Sequence, residues 1–303
     1  MENHDDIVKS LSTIRDYVRW SMGRFTEANI FYGHGTDNAW DEAVALIFHL
    51  LRMPDDADSR VLDAQLTKTE RKLIIRVVET RCHDRVPVAY LIGSAWFAGL
   101  KFKVDERVLI PRSPIAELIE SGFAPWMTRD IRQVLDIGTG SGCIGLACAW
   151  HFDAQADLLD ISPDALEVAR QNVNSLGLNK QIRLIQSDVF DRLSSDDHRA
   201  RYDLIVSNPP YVDEDDLAQM PAEYHHEPKI GLAAGPDGLD FAKRILRESA
   251  EFLNDDGILV MEVGNSWLAL EAHFASVPFT WVEFERGGHG VCVFSKQQLE
   301  QYF

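Results

Sequence analysis

Cysteines, long apolar runs and basic residues are all scarce in this chain of 303 residues. The four cysteines include no Cys-x-x-Cys pair and no metal-ligand spacing, so reduced thiols are the plain interpretation. No apolar run reaches the roughly 18 residues that a membrane-spanning helix requires. The first ten residues, MENHDDIVKS, carry acids where a secretory signal has an apolar core. These absences predict a cytoplasmic protein without membrane contact.

The deficit of basic residues is uneven along the chain. Overall, 30 Lys and Arg stand against 48 Asp and Glu, a net charge of −18. Residues 121–303 hold 14 basic and 29 acidic residues, whereas residues 1–120 hold 16 and 19. An acidic surface repels nucleic-acid phosphates and attracts basic partners, although solubility alone explains it equally well. We expect a basic protein partner and no direct nucleic-acid binding.

Helical signals dominate residues 1–87. Apolar residues recur at helical spacing over positions 7–22. Asn38 can cap a second helix, and Thr67 with Glu70 forms the capping box of a third. With 46% hydrophobic residues the chain is globular and long enough for one or two domains. We therefore expect a small helical domain over 1–87.

Strand signals begin after this helical region. Residues 88–112 contain β-rich segments broken by glycines, which predicts a hairpin connector. Strand and helix patterns alternate over 113–303, which predicts an α/β domain with a parallel sheet covered on both faces. Its last segment, 279–295, predicts two strands joined through Arg286–Gly290, which would form an antiparallel edge.

A glycine-rich loop, VLDIGTGSG, lies between the first strand and first helix of this alternating region. Gly138, Gly140 and Gly142 let the backbone turn tightly and approach a ligand closely. The spacing is Gly-x-Gly-x-Gly, and Cys143 stands where a nicotinamide-binding loop has its third glycine. The Gly-Lys-Ser/Thr of a P-loop is absent from it. The loop predicts a ligand site of another kind at the carboxyl end of the strand.

Three acids follow or end successive predicted strands. Asp136 precedes the glycine loop and suits a ligand with an ammonium group, such as the methionine end of S-adenosylmethionine. Asp160 can accept the ribose hydroxyls, and Asp188 could meet the adenine. Each acid alone is typical of an ordinary turn or cap. Together with the glycine spacing they predict an S-adenosylmethionine site, with S-adenosylhomocysteine as product. We expect its residues to be Asp136, Gly138, Thr139, Gly140, Gly142, Asp160, Ile161, Asp188, Val189 and Asn208.

The turn Asn208-Pro209-Pro210-Tyr211 follows the next apolar strand. A strand-ending turn alone could explain it, because two prolines cannot continue a ladder. Beside a methyl donor it has a chemical interpretation, since an amide nitrogen is a poor nucleophile. The Asn208 side-chain oxygen and the Pro209 carbonyl can accept its two N–H groups, and Tyr211 offers a flat face. We expect Asn208, Pro209, Pro210 and Tyr211 to be the catalytic residues.

Motifs along nearly the whole chain resemble those of one family. Besides the helical beginning, they are LIPRS, DIGTGSG, the Asp160 strand end, SDVF, SNPPY and AAGPDGLDFAKRIL. The chain resembles the bacterial protein-glutamine N-methyltransferases, which modify the GGQ motif of release factors or a glutamine of a ribosomal protein. The resemblance implies a Rossmann-like class I methyltransferase fold, S-adenosylmethionine held by the glycine loop and strand-end acids, and the glutamine amide held by Asn208 and Pro209. It also implies that the N-terminal helices recognise the protein substrate.

Within this family the connector separates two branches. Release-factor enzymes carry IPRPDTE, whereas residues 110–116 here read IPRSPIA, and Val189 replaces a frequent tryptophan. The segment is similar to that of the branch acting on the third large-subunit ribosomal protein, which is therefore the expected substrate. Release factors are the alternative. Adenine methylation of a nucleic acid and a non-catalytic role in ribosome assembly are less favoured, because of the charge and the intact turn respectively.

An acidic segment, residues 213–227, follows the catalytic turn and contains six acids and no Lys or Arg. A solvated loop is the ordinary interpretation, and contact with a basic ribosomal protein is the sharper one. His225 and His226 lie near Glu223 and Glu227, but adjacent histidines in a polar loop are a poor metal signal. We expect no metal site.

Overall fold

The computed structural model describes residues 4–193 and 201–303, apart from the side chains of Glu214 and Asp215. By their internal contacts these residues form two compact units. The helical unit comprises Met1–Ser94 with Pro221–His226, and the α/β unit comprises Ala95–Met220 with Glu227–Phe303. The predicted domain bounds at residues 87 and 112 stay a prediction, and the hairpin strands fall largely within the α/β unit.

The helical unit contains α1 His4–Ser10, α2 Ile14–Glu27, α3 Ala39–Leu50, α4 Lys68–Asp84 and α5 Val88–Ile92. The predicted caps are confirmed: Asn38 accepts a hydrogen bond from the Asp41 N–H at 2.9 Å, and Thr67 with Glu70 forms the capping box of α4. Caps of this kind satisfy backbone donors that a helix start leaves without partners. The short helix α5 corrects the expectation of β structure from residue 88.

A buried charge network lies in the core of the helical unit. The Arg81 side chain is 0% exposed and donates to Glu42 at 2.6 Å and to Glu223 at 3.3 Å. Glu223 also accepts the Phe31 N–H at 3.1 Å. Burial opposes ionisation of Glu223, but these hydrogen bonds and the charges of Arg81 and Arg85 outweigh it and lower its pKa. The network explains why Pro221–His226, distant in sequence, folds with this unit.

The α/β unit is built on eight strands and seven helices within the described residues. The strands are β1 Ser94–Phe97, β2 Leu100–Lys103, β3 Gln133–Ile137, β4 Gln155–Asp160, β5 Ile182–Gln186, β6 Tyr202–Ser207, β7 Leu253–Glu262 and β8 Val291–Ser295. The helices are α6 Ile115–Glu120, α7 Cys143–Phe152, α8 Pro163–Leu176, α9 Glu214–Gln219, α10 Asp240–Glu248, α11 Trp267–His273 and α12 Lys296–Tyr302. No helix among the described residues has the length and apolar character needed to span a membrane.

The main sheet has the order β5-β4-β3-β6-β7-β8, and only β8 runs antiparallel to its neighbour. Its central strands are apolar because the sheet is covered on both faces: all six residues of β6 are buried. The chain adds strands on one side of β3 and then on the other, so the strand order reverses between β3 and β6. A reversal of this kind opens a crevice at the carboxyl ends of the two strands. The predicted α/β fold with an antiparallel edge is confirmed.

Two local expectations for the α/β unit are wrong. The first of the two closing strands does not form, and over 279–285 only Trp281 makes a single bridge, to Cys292. The Val282 N–H donates to the Val291 carbonyl at 2.9 Å and the Val293 N–H to the Thr280 carbonyl at 3.1 Å, so the pairing with β8 is confined to residues 280–282. The acidic segment, which was expected to be a loop, contains α9. The helix α12, for which no pattern gave a prediction, follows β8 directly, with Ser295 at its start. Short helices such as these have too few turns to leave a clear periodic pattern.

Candidate active site

A cleft at the carboxyl ends of β3, β4 and β6 collects most of the predicted site residues, all from the α/β unit. Of those residues its walls contain Gly138, Thr139, Gly140, Asp160, Ile161, Asp188, Val189, Asn208, Pro209, Pro210 and Tyr211. Asp136 and Gly142 do not line it. The crevice at the strand-order reversal therefore brings together the glycine loop, two strand-end acids and the proline turn.

The glycine loop is held against the end of β4 by Asp160. The two carboxylate oxygens accept the Gly140 N–H at 2.8 Å and the Ser162 N–H at 2.9 Å. Gly138 and Gly140 have φ of +69° and +55°, which only glycine adopts without strain. Burial raises the pKa of Asp160, and the backbone N–H groups that it accepts act in the opposite direction. The arrangement presents a fixed carboxylate to the cleft beside open backbone.

Asp136 does not line the cleft, and its expected contact with an ammonium group stays a prediction. It is 1% exposed, and its Oδ2 accepts the Thr139 hydroxyl at 2.6 Å and the Gly145 N–H at 2.8 Å. Burial raises its pKa to about 6. A Cβ at Gly145 would lie 2.8 Å from that of Asp136, so the helix approaches closely only because residue 145 is glycine. Asp136 therefore ties the loop to the first turn of α7.

Gly142 is the second predicted ligand residue outside the cleft wall. It precedes α7 with φ of +83°. A Cβ there would lie 2.9 Å from the Leu146 side chain and 3.3 Å from that of Leu158. A glycine is therefore required here by the turn and by the packing of α7 on the sheet, and its contact with a ligand stays a prediction.

Asp188 and Val189 follow β5 and lie on the cleft wall. Asp188 forms an ion pair with Arg244 of α10 at 3.1 Å, and Arg244 also pairs with Asp191 and Glu248. Val189 is buried with φ of +45°, an uncommon conformation for a β-branched residue. The β5 end thus supplies one partly neutralised acid and one apolar contact.

The Asn-Pro-Pro-Tyr turn lies next to the glycine loop. The hydroxyl of Ser207, the last residue of β6, donates to the Ile137 carbonyl at 2.8 Å. A Cβ at Gly138 would lie 3.9 Å from the Pro209 Cα, so the loop and the turn are in van der Waals reach. Neighbouring parallel strands of the reversal therefore carry the predicted ligand loop and the predicted catalytic turn side by side.

One wall of the cleft comes from a segment for which the residue pattern predicted no function. Arg107–Ser113 lies along it, and Glu227 fixes this segment. Arg112 donates to both carboxylate oxygens of Glu227 at 2.6 and 2.8 Å, and the Ile110 N–H donates to it at 3.0 Å. The LIPRS motif marks this segment in the sequence, but its partner is 115 residues away from Arg112.

The acidic segment 213–227 is divided by the structure. Glu223 is buried in the helical unit and Glu227 in the α/β unit, each with arginine partners. His226 pairs with the Asp84 carbonyl at 2.7 Å. Asp213 caps α9, while the side chains of Glu214 and Asp215 lie outside the described residues. Within 4–193 and 201–303 there is no cluster of three or more His, Cys, Asp or Glu side chains arranged to hold a metal ion.

Comparison with known proteins places this chain among methyltransferases. Residues 123–223 match the model of the methyltransferase small domain. The ribosomal protein uL3 glutamine methyltransferase of Francisella tularensis is 48% identical over 99% of this chain and 96% of its own length. That of Neisseria gonorrhoeae is 46% identical over 96% of this chain and 97% of its own. The chain belongs to this family. The suspected family is therefore confirmed.

A solved structure supports the same fold at much lower identity. The hMettl16 catalytic domain, crystallised with MAT2A 3'UTR hairpin 1, superposes with a TM-score of 0.53 and 19% identity. The match covers 83% of this chain and 91% of that one. This likeness concerns the architecture of the sheet and its helices alone.

Proposed function

We propose that this protein transfers a methyl group from S-adenosylmethionine to the side-chain amide nitrogen of a glutamine in ribosomal protein uL3. The observation that carries the proposal is the meeting of the glycine loop, Asp160 and the Asn208–Tyr211 turn in one cleft, in a chain of this family. The loop and acid suit the methyl donor, and the turn suits a planar amide.

The residues present fit this cofactor. Gly140 leaves backbone open, with nothing within 4 Å of a hypothetical Cβ, and Asp160 presents a carboxylate held in place by two N–H groups. A carboxylate so placed can accept two ribose hydroxyls. Ile161 and Val189 offer apolar surface for the adenine, with Asp188 beside it. When bound, the cofactor supplies an electrophilic methyl group on a sulfonium.

The turn would prepare the amide nitrogen. Asn208 Oδ1 and the Pro209 carbonyl accept its two N–H groups, which favours a pyramidal nitrogen with its lone pair directed at the methyl group. Proline at 209 has no N–H to compete. Tyr211 packs beside the planar amide. Positioning of this kind supplies most of the rate enhancement. No strong base is needed before transfer, because the nitrogen becomes acidic once methylated.

Substrate recognition belongs to the helical unit and the acidic surface in this proposal. The helices supply protein contacts, and the acids Asp213 and Asp216 beside the catalytic turn attract a basic ribosomal protein. The net charge of −18 disfavours direct nucleic-acid binding. The four cysteines are buried and free, which is consistent with the proposed cytoplasmic location.

The test is transfer of labelled methyl from S-adenosylmethionine to three substrates in parallel: undermethylated large-subunit proteins, release factors and DNA. We expect label in uL3 alone, mapped to a glutamine, and none with the Asn208→Ala variant. Label in release factors instead of uL3 would move the chain to the other branch. Label in DNA would refute the charge argument.

A further inference from the structure

Tyr211, the last residue of the catalytic turn, is fixed at three points by the α/β unit. Its carbonyl accepts the Ser266 hydroxyl at 2.7 Å. Its ring lies directly against Gly264, where any Cβ would overlap it. Its hydroxyl donates to Glu262 Oε1 at 3.1 Å. The backbone, the ring face and the phenol oxygen are therefore each held by a separate contact.

Glu262 is the unexpected member of this set. It ends β7, the strand next to the one that leads into the turn, and it is 5% exposed. Its other oxygen, Oε2, accepts the Ser113 hydroxyl at 2.5 Å. Both partners, Ser113 and Tyr211, line the cleft, whereas Glu262 lies behind them and does not. The buried Glu262 carboxylate thus joins the Arg107–Ser113 wall to the catalytic turn.

A buried carboxylate is retained only where its surroundings satisfy it. Burial raises the pKa of Glu262, and the hydrogen bonds from Ser113 and Tyr211 and the charge of Arg112 act in the opposite direction. Within the described residues no ion pair of Glu262 shorter than 4.0 Å is found, so the two hydroxyls are its close partners. Because an ionised carboxylate only accepts hydrogen bonds, both hydroxyls must point their protons at it.

We propose that Glu262 is a positioning residue that sets the orientation of Tyr211 and so the geometry in which the substrate amide is held. Because its hydroxyl donates to Glu262 behind the cleft wall, the Tyr211 ring keeps one face toward the amide and cannot rotate toward the cofactor. Ser113 extends the same constraint to the Arg107–Ser113 wall. Glu262 itself touches neither substrate nor cofactor, since it is outside the cleft. The inference rests on the proposed function and adds a residue that the motifs do not include.

A double-mutant cycle with Glu262→Gln and Tyr211→Phe tests this role, because coupling measures an interaction rather than a general loss of structure. We expect Glu262→Gln to lower kcat on uL3 about tenfold, with the Kd for S-adenosylmethionine changed less than threefold. Misplacement by a fraction of an ångström is sufficient for such a loss. In the Tyr211→Phe background the same substitution should change kcat less than twofold.

The matched control is a second buried tyrosine–carboxylate pair. The Tyr202 hydroxyl donates to Asp157 at 2.6 Å, at the other end of β6. The cycle of Tyr202→Phe and Asp157→Asn should show coupling in the melting temperature and none in kcat. Should Glu262→Gln fail to fold, Ser113→Ala removes one hydroxyl from the same carboxylate, and we expect it to lower kcat about threefold.

The outcomes separate the inference from the proposed function. If the wild-type protein methylates uL3 but the Glu262 and Tyr211 effects on kcat are independent, the positioning role is wrong. It is equally wrong if Ser113→Ala and Glu262→Gln leave kcat unchanged. A lost acidic limb of the pH–rate profile in Glu262→Gln would make Glu262 a base instead. No methylation of uL3 by the wild type would refute the proposed function itself.

Discussion

Two buried tyrosine–carboxylate pairs lie at opposite ends of β6, and they are satisfied in different ways. At its start, Tyr202 donates to Asp157, whose charge is met by Arg183 at 2.6 Å. Beyond its end, Tyr211 donates to Glu262, which has Ser113 as its other close partner. The first carboxylate is paired with a cation at the edge of the sheet, while the second is held by two hydroxyls that line a cleft.

The difference indicates what each end of the sheet does. Arg183 meets both Asp157 oxygens through its Nε and Nη2 atoms, and neither residue lines the cleft. Two hydroxyls on a fixed carboxylate define the direction of each donor. We therefore expect loss of the Tyr202–Asp157 pair to affect stability, and loss of the Tyr211–Glu262 pair to affect the geometry of the cleft. The first two of the four predictions that follow test this division.

Asn208→Ala should have the largest effect, since it removes an acceptor aimed at the reacting amide. We expect kcat on uL3 to fall about a thousandfold, the loss typical of one preorganised polar group. The counterpart is Asn254→Ala in the amino-terminal part of β7, where the side chain donates to Asp203 at 2.7 Å. That variant should melt earlier and keep kcat within twofold. Full activity of Asn208→Ala would contradict the mechanism.

Gly264→Ala places a methyl group just beyond the end of β7, and Gly257→Ala places one in the middle of this strand. At 264 the Cβ would overlap the Tyr211 ring, and φ is +45°, so we expect kcat to fall ten- to a hundredfold. At 257 it would lie 2.9 Å from the Tyr202 carbonyl, which should lower the melting temperature and leave kcat nearly unchanged. Steady-state kinetics with thermal melting would distinguish them. Equal kcat values for the two variants would contradict the distinction between these two positions.

Asp136 makes stability at the glycine loop pH-dependent. Its pKa of about 6 lies above the ordinary 3.8, so the folded protein prefers the protonated acid. The stability gained is complete below about pH 4 and is lost as the pH rises through 6. Asp136→Asn removes this loss. The free energy of unfolding of the variant minus that of the wild type should therefore rise by on the order of 2 kcal/mol from pH 4 to 7. Denaturant melts at several pH values measure it; a constant difference would contradict it.

Neutralising Asp213 and Asp216 in the acidic segment should have the smallest effect on activity. The double variant Asp213→Asn with Asp216→Asn keeps the α9 cap, because an asparagine oxygen can still accept the residue 216 N–H. We expect KM for uL3 to rise two- to threefold at low salt and to match wild type near 1 M salt, as estimated from screening. Asp255→Asn with Asp256→Asn, two acids near the start of β7 that are 97% and 82% exposed, should leave KM unchanged. A KM independent of salt in every variant would exclude a role for this segment.

Local signals predicted the parts of the site that are local in sequence. The glycine spacing, Asp160 and the Asn208–Tyr211 turn each combine a strand end with the residues next to it. Parallel strands then bring these ends to one edge. The burial of Asp136 could not be predicted, because a position at a strand end does not tell which way the side chain points. Its burial under the loop depends on the close approach of α7 at Gly145.

The remaining parts of the site depend on partners far apart along the chain. Ser113 and Glu262 are separated by 149 residues, and Arg112 and Glu227 by 115. No periodic pattern or capping signal predicts such pairs, since each residue alone resembles an ordinary strand or loop residue. The strand expected before β8 is reduced to residues 280–282, whose backbone hydrogen-bonds to Val291 and Val293.

By itself, the sequence determined the longer helices and strands, the caps of α3 and α4, the α/β class with its antiparallel edge, and the family. These follow from the spacing of neighbouring residues, which acts over one helical turn or one strand. The tertiary structure alone decided which acids face the cleft, which arginine meets which carboxylate, and that Glu262 stands behind Tyr211. Those choices follow from the reversal of strand order between β3 and β6, which places distant segments side by side.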